Sequence, residues 1–579
     1  MQFLDQLPMS FRLTPCSSKM LSFWLCFTVI VPVARTQTFP VPVLGVQTGI
    51  NIATGERPAR LNINDLYSRG GPQWDLYIQA LAEFQEAPET DERSYFQISG
   101  IHGIPISSWN GAEQVNGGIN GGYCPHNEQL FATWHRPYVA LFEQVLVSHA
   151  QTIAARYRGR NGPRYLKAAQ TLRQPYWDWA ADPNLPVAVT RPQLNITTPY
   201  GLLTVRNPLY SYRWQRKENG TGFENTSLSS YAETVRCPLL NGADDDFDIA
   251  NSNLEAPSLG LASQTYDVFA RASTFEWMAS MSSQGPSFEM PHNTIHNFAG
   301  CENGTLADVG WSAFDPIFML HHSNVDRLIA MWQVVYYNES TMSSTSPTNG
   351  AFGSTRGDAT PDSPLKPFFL DTNGTFHTSR TAAQTKTFGY TYPEINDWSR
   401  TRDELRDFVI NRVNVLYGGG TANLPKQTAN RFIKGRGPVS PSVAYTVEVQ
   451  VDRSEVPLPC SIDVRLEDHT LATVSLLGMP LSGMAYSSVP LRDSLRNLSL
   501  KNMPEDILIP YLQKNLRVEV RKRDGSILPQ SQVPSLKLGL QGQDFHPPVS
   551  NYALPRYGTA RKYPVSKRVQ QRDTPGSWM

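Results

Sequence analysis

Six histidines in two trios constrain this chain more than any other feature: His102, His126 and His135, then His292, His296 and His322. The sequence holds eleven histidines, and eight of them fall between residues 102 and 322. Imidazole is the commonest metal-binding side chain. Neither trio is accompanied by a comparably placed cluster of carboxylates or cysteines. Two sets of three therefore imply two metal ions held by nitrogen alone, in a fold that gathers distant segments onto one centre.

His292 and His296 are four apart, so on a helix they share one face and can hold one ion together. His322 lies in DPIFMLHHSNVDRLIAMW and His135 in LFATWHRPYVALFEQVLVSHA, both of helical pattern. His102 and His126 arrive on loops. Two antiparallel helix pairs facing inward would make a four-helix cage around two metals. Di-iron cages of this kind use Glu and Glu-x-x-His, which neither trio shows. Neutral imidazoles suit copper, zinc or nickel; copper leads on intrinsic affinity, and zinc on three histidines stays open. A lone histidine is usually a hydrogen-bonded core or surface residue, and His149, His377, His469 and His546 keep that reading. The joint pattern of the two trios does not.

With 40% hydrophobic and 11% aromatic residues the chain can bury a sizeable core, and its length implies more than one domain. Formal net charge is zero without a long basic run, so nothing points to nucleic acid as a partner. Arg12 and Lys19 precede the apolar run Leu21 to Val33, which ends at Ala34. That run is shorter than the ~20 residues of a stable membrane span and reads as a signal peptide, with Met20 an alternative start. Seven Asn-x-Ser/Thr sequons, at Asn195, Asn219, Asn225, Asn303, Asn338, Asn373 and Asn497, agree with a secreted or secretory-pathway glycoprotein. Of six cysteines, Cys16 and Cys26 lie in the leader, leaving Cys124, Cys237, Cys301 and Cys460, too few for a disulfide-built scaffold. Cys237 and Cys301 are the candidate disulfide.

Helical periodicity runs over Gln73 to Phe84, Gln129 to Ala155, Ser263 to Met281, His292 to Phe298 and Pro316 to Tyr337. Pro137 favours a position in a first helical turn. Residues 37 to about 70 read as extended, and 180 to 260 as irregular, with Asp244 to Asp248 a solvated acidic loop. Residues 340 to 385 read as a long surface loop, Asp397 to Tyr417 as a last helix and Gly418 to Pro438 as a linker. Beyond them AYTVEVQVD, SIDVRLEDH, TLATVSLLG, LRVEVRKRD and SLKLGLQG alternate with period two, which predicts a small β-sandwich. The expected fold is a mainly α catalytic domain with a four-helix-bundle di-metal core and long loops, followed by a smaller C-terminal β-sandwich domain. The domain plan is a signal peptide over 1–36, a catalytic domain over 37–395, a helix and linker over 396–440, the β-rich domain over 441–549 and a basic disordered tail over 550–579.

HGIPISSWNG, CPHNEQLFATWHRPYVALFEQ, EMPHNTIH and SAFDPIFMLHHSNVDR closely resemble the two metal-binding regions of fungal tyrosinases. Those belong to the type 3 copper family, with catechol oxidases and hemocyanins, and the likeness covers about residues 40 to 395. It implies two copper ions, one on His102, His126 and His135 and one on His292, His296 and His322, with His321 standing behind the ligands. Cys124 matches the cysteine that forms a thioether with a copper-binding histidine, here His126. Phe131 would pack against the first trio and Trp134 would wall it. Glu289 and Asn293 match the pair that holds a water able to accept a phenol proton. Val309 falls where some catechol oxidases place a blocking Phe, and would leave the second copper open to an aromatic substrate. Asp326 and Arg327 resemble supports that orient the metal-bound rings. Tyr390 and Tyr392 resemble the Tyr-x-Tyr signature closing the catalytic domain. The strand-rich remainder resembles the domain that covers the site in proenzymes, with Tyr486 the aromatic candidate to fill it. Cys460 stands alone where some relatives carry a Cys-x-x-Cys copper-loading motif.

The resemblance implies a copper-dependent phenol oxidase that ortho-hydroxylates monophenols and oxidises o-diphenols to o-quinones with O2, in pigment or specialised-metabolite formation. Its partners would be a small aromatic or phenolic substrate and O2. Two alternatives share the same ligands: a non-oxidative zinc enzyme of the cyclopenase type found in fungal quinolone alkaloid pathways, and an O2 carrier. Oligomeric state and natural substrate stay open.

Overall fold

A computed structural model of the protein describes residues 40–119, 121–215, 231–238, 244–419 and 442–565. The expected signal peptide, nearly all of the expected linker, the sequons Asn219 and Asn225, and residues 566–579 lie outside the described residues. Among the described residues no helix is long and apolar enough to cross a membrane.

Helices build the first part of the chain. We label the six that matter here α1 (Pro72–Glu86), α2 (Leu130–Ala154), α3 (Leu261–Arg271), α4 (Glu289–Gly300), α5 (Ile317–Val335) and α6 (Arg402–Tyr417). Helix α1 buries Trp74, Tyr77, Ile78, Leu81 and Phe84, the three-and-four spacing of one helical face. Helix α2 is hidden almost all round, so its pattern is a nearly continuous apolar run rather than a stripe. Pro137 is the eighth residue of α2, not a first-turn residue as its chemistry suggests. A proline there removes one ladder bond, at a cost of about 3 kcal/mol. Packing of a fully buried helix outweighs that. Thr401 and Glu404 cap α6 reciprocally, each side chain bonding the other's backbone.

Two stretches differ from expectation. The helical pattern over Ser263 to Met281 is two helices, α3 and the short Phe275–Ala279, broken at Ala272. Residues 340 to 385 are not surface loop throughout. They hold two hairpins, Ser346–Thr348 with Gly357–Ala359 and Pro364–Phe369 with Phe376–Thr378, and bury Leu365 and Phe368. The irregular 180 to 260 segment also contains an antiparallel hairpin, Gln193–Thr198 with Gly201–Arg206. Asp246 in the acidic run caps the helix Phe247–Leu254.

The C-terminal part is the expected sandwich. Its strands are β1 (Ser442–Asp452), β2 (Cys460–Leu466), β3 (His469–Leu476), β4 (Met484–Pro490), β5 (Leu516–Lys522), β6 (Ile527–Leu528), β7 (Lys537–His546), β8 (Arg556–Tyr557) and β9 (Arg561–Pro564). One antiparallel sheet has the order β4-β1-β7, with β8 and β9 both on the far edge of β7; the other has the order β6-β5-β2-β3. Val447 and Val449 of one sheet and Ile462 and Val464 of the other point into the shared core. Helix α6 is not the last: Arg492–Asn497 and Glu505–Asn515 follow it. The expected disordered tail does not start at residue 550, because β8 and β9 finish the first sheet. Met281 and Met290 of the helical part pack within the sandwich's apolar core, which seats the second domain over the first.

Candidate metal centre

His135 comes from α2, His292 and His296 from α4, and His322 from α5, while loops deliver His102 and His126. The loops approach so closely that side chains do not fit. A Cβ on Gly122 would stand 1.9 Å from the carbonyl oxygen of His102, and one on Gly103 2.4 Å from Gly310 Cα. Glycine at both positions lets backbone meet backbone.

Each trio is ordered by what its rings do with Nδ1. His102 Nδ1 donates to Val309 O at 3.0 Å, His135 Nδ1 to Phe131 O at 2.8 Å and His296 Nδ1 to Leu306 O at 2.8 Å. His292 Nδ1 donates to Asn293 Oδ1 at 2.8 Å. A carbonyl oxygen can only accept, so the proton sits on Nδ1 and the Nε2 lone pair is free to ligate. The Nε2 atoms of His102, His126 and His135 are buried with no hydrogen-bond partner. Those of His292, His296 and His322 lie 3.1, 3.3 and 3.4 Å apart, forming a small triangle. Nitrogens held 2.0–2.1 Å from one ion at tetrahedral angles stand roughly 3.3 Å apart. The second triad is therefore already spaced for one metal ion, and the first offers three buried ligand nitrogens with nothing else to bind.

The first trio is the looser triangle, with ring centroids 5.5 Å (His102–His126), 5.5 Å (His126–His135) and 5.7 Å (His102–His135) apart. The two trios face each other. His135 stacks on His322 at 4.5 Å and His126 on His292 at 5.7 Å, and the donor atoms of His102, His135 and His322 lie within 4.8 Å of one another. Burial, reinforced by neighbouring rings, pushes the His102, His126, His292 and His322 pKa values well down. Burial also takes His135 to about 3 and His296 to about 4, each partly offset by its carbonyl bond. All six are neutral at physiological pH, as ligation requires.

The flanking residues fall as follows. Phe131 packs on His135 at 4.9 Å and His292 at 4.7 Å, so it touches both trios. Trp134 meets His135 edge-on at 4.9 Å and is anchored by its indole N–H on Lys366 O. Cys124 is a free thiol with Sγ 3.6 Å from His126 Nδ1. His321 is buried, stacks on His292 at 5.0 Å, and neither of its nitrogens has a hydrogen-bond partner. Val309 reaches the first trio rather than the second: its carbonyl orients His102, and it lines a cavity of about 190 Å³ with His102, Cys124 and His126.

Asp326 and Arg327 do not orient any ring of the trios. Asp326 accepts from Arg136, Arg60, Tyr390 and Tyr392, and Arg327 pairs with Asp178 and Glu394. They form a buried ionic layer beneath the centre, and backbone carbonyls do the orienting. This is where Tyr390 and Tyr392 end, both hydroxyls on one carboxylate oxygen. Glu289 is spoken for by Asn127 N, Ser280 Oγ and Met281 N, and burial raises its pKa against those three donors. Asn293 bridges His292 and the lid, its Nδ2 donating to Ser475 O at 3.4 Å.

Sequence reasoning missed four contributors. Phe318 stacks on His322 at 4.0 Å and meets His102 edge-on at 4.8 Å; its place one helical turn before His322 was the available signal. Met479 and Pro480, on the loop after β3, wall the first-trio cavity. Arg453, buried at 2% exposure, donates to the carbonyls of Leu477, Met479 and Pro480 and so fixes that loop. Tyr486 does not fill the cavity; it lies on β4, its N–H donating to Met281 O at 2.7 Å.

Two facing imidazole triads in a helical core, roofed by a β-sandwich, define a dinuclear metalloenzyme. The common central domain of tyrosinase matches residues 92–335, and the tyrosinase C-terminal domain matches residues 444–540. A tyrosinase of Podospora anserina is 35% identical over 389 residues, covering 63% of this chain and 67% of that protein. One of Neurospora crassa is 31% identical over 500 residues, covering 77% and 73%. A solved mushroom tyrosinase shares the fold with a TM-score of 0.76 at 24% identity, over 90% of this chain and 98% of that one. Aspergillus oryzae pro-tyrosinase does so at 0.69 and 22%, over 93% and 100%. The chain belongs to the tyrosinase family of type 3 copper oxidoreductases and is a tyrosinase-like phenol oxidase.

Proposed function

We propose that the protein hydroxylates monophenols at the ortho position and oxidises o-diphenols to o-quinones with O2, forming pigment or a specialised metabolite. The observation that carries this is two facing triads: the Nε2 atoms of His292, His296 and His322 converge within 3.4 Å of one another, and those of His102, His126 and His135 lie opposite them, buried and unpartnered. His102, His126 and His135 would hold one copper ion and His292, His296 and His322 the other. A bound copper pair supplies the reduction of O2, one oxygen atom entering the ring and the other leaving as water.

The protein's own groups do the rest. The neutral rings of His102, His135 and His296, with Nδ1 fixed on backbone carbonyls, present Nε2 without reorganisation. Phe131, Trp134 and Phe318 exclude water and hold the rings apart. Asn293 fixes His292 and, once Ser475 withdraws with the lid, its amide is free to hold a water against an incoming phenol hydroxyl. Glu289 fixes the turn at Ser280–Met281 and the backbone of Asn127 behind that amide. In the closed arrangement the lid bonds Asn293, Asn297 and Asn127 through Ser475 O, Leu476 O and Met484 O. The closed form therefore admits substrate poorly. Exposed sequons at Asn195, Asn338, Asn373 and Asn497 support passage through the secretory pathway.

The test is metal content of the purified protein with O2 uptake on tyrosine and on a catechol. Copper at two per chain with turnover of both substrates is expected. Zinc in its place, with no O2 uptake on either, would overturn the reading in favour of the non-oxidative alternative.

A further inference from the structure

A second cavity, of about 300 Å³, lies away from the histidines, between α3 and the lid sandwich. Tyr266 on α3 forms one wall, and Tyr445, Phe545 and Tyr557 come from β1, β7 and β8. Phe545 and Tyr557 meet edge to face at 5.5 Å. A dry cavity of about 150 Å³ accepts benzene, and drug-sized sites begin near 300 Å³. The space suits one aromatic ring with a short polar substituent, and the walls offer it ring faces and edges.

The charges around the cavity are not equally engaged. Its two acids are already engaged: Asp267 is paired with Arg271 at 2.9 Å, and Glu505 accepts from the Tyr563 hydroxyl and faces Arg561 at 3.5 Å. Its two cations are not engaged to the same degree. Among the described residues Arg492 has one ion pair, with its sequence neighbour Asp493 at 3.4 Å, and its charge is also felt by Asp267; Lys501 has no ion pair. Two cations at the edge of an aromatic-walled space favour an anion over a neutral or cationic occupant.

We infer that this cavity is a binding site for a monocyclic aromatic carboxylate, its ring among the four aromatic side chains and its carboxylate on Arg492 and Lys501. The occupant touches α3 on one side and the sandwich on the other. By linkage, whatever binds both parts as assembled stabilises their assembly, so it holds the lid closed over the metal centre. The site itself does not depend on the phenol oxidase reading; only that last consequence does.

Benzoate is the probe, because it carries the ring and the carboxylate but no phenol to oxidise. Calorimetric titration of the full-length protein after metal removal by chelation excludes binding to copper. One benzoate per chain is expected, together with a rise in thermal midpoint. Benzylamine, of similar size and opposite charge, is expected to bind at least about tenfold more weakly. Lys501→Gln and Arg492→Gln, both at positions that solvent reaches, are each expected to weaken benzoate about tenfold with little change in the ligand-free thermal midpoint. Absence of benzoate binding overturns the proposal. So does equal binding of benzylamine, or unchanged benzoate affinity in both variants.

Discussion

His135 and His322 stack with ring centroids 4.5 Å apart and planes 23° from parallel, though they belong to different triads. Each ring is thus part of the wall that positions the other. Removing one should therefore disturb both ions. In His322→Gln, the triad on α4 and α5 loses a ligand and His135 loses the surface it rests on. Metal content should fall from two copper ions per chain to one or fewer, and affinity for the retained ion should drop by about 10- to 100-fold. Metal analysis after dialysis against a graded chelator measures both. A variant that loses one ion and holds the other at unchanged affinity would show that the triads are independent.

Asn293 touches His292 with its oxygen and the lid with its nitrogen. If its amide holds a water that takes the phenol proton, Asn293→Ala should lower monophenol turnover by about 10²-fold. Diphenol turnover should fall far less. The comparison is made on protein of matched copper content, since the same substitution frees His292 Nδ1. Equal losses on both substrates would leave Asn293 a ring support only.

Cys124 Sγ and the His126 ring are neighbours, 3.6 Å from sulfur to Nδ1. We expect copper-loaded protein exposed to O2 to form a carbon–sulfur bond between them, sulfur and ring carbon each losing one hydrogen. Mass spectrometry of the peptide spanning both residues should show that loss. In Cys124→Ala the peptide should keep its calculated mass, and first-trio copper should exchange faster because the ring is no longer pinned. An unmodified peptide from fully copper-loaded, oxygen-exposed protein would remove the bond from the account.

The two trios could be read from the sequence because ligand chemistry leaves few choices: helical spacing places His292 and His296 together, and imidazole without carboxylate excludes most other metals. The strands of the sandwich were legible for a similar reason, since one buried face imposes period two. The supports of the centre were not. Val309, Phe131 and Leu306 orient rings through their carbonyls, and a carbonyl belongs to every residue, so no side-chain pattern reveals it. Asp326 and Arg327 show the converse error: charged residues near a ligand look like ring partners, but here they satisfy each other's neighbours. Pro137 and residues 340 to 385 misled because tertiary burial overrides local preference. Met479 could be found only after the lid's position was known, since nothing in Leu-Gly-Met-Pro points to a histidine 377 residues away in sequence.

Asp326 is the hub of that buried layer, accepting from Arg136 at 2.6 Å and Tyr390 and Tyr392 at 2.6 Å each. Burial alone would raise its pKa, but the Arg136 and Arg60 charges and the tyrosine hydroxyls hold it below the ordinary carboxylate value. A depressed folded pKa contributes stability that is present above the unfolded value of about 3.9 and is lost as pH falls through the folded one. Asp326→Asn leaves two buried guanidinium groups short of charge, at a cost of roughly 3–5 kcal/mol near neutral pH. Urea unfolding should show that deficit constant above about pH 5 and narrowing toward pH 3. A deficit that persists undiminished in acid would mean that packing, not charge, sets the loss.

Arg453 binds three consecutive-loop carbonyls, Leu477 O at 2.6 Å, Pro480 O at 2.8 Å and Met479 O at 2.9 Å, while its own burial lowers its pKa to about 10. That loop places Met479 and Pro480 over the first-trio cavity, so the guanidinium holds the plug in shape from behind. Arg453→Gln keeps a donor but loses the charge and most of the fork. Unmade bonds to buried carbonyls cost about 1–3 kcal/mol each. Even about 1.4 kcal/mol taken from the closed arrangement alone would raise the open population tenfold. Catechol turnover by untreated protein should then rise by about tenfold or more, while turnover of fully activated protein stays unchanged. The ratio of activity before and after activation is the measurement. A variant as inactive as the parent before activation, and equally active after it, would show that the loop keeps its shape without Arg453.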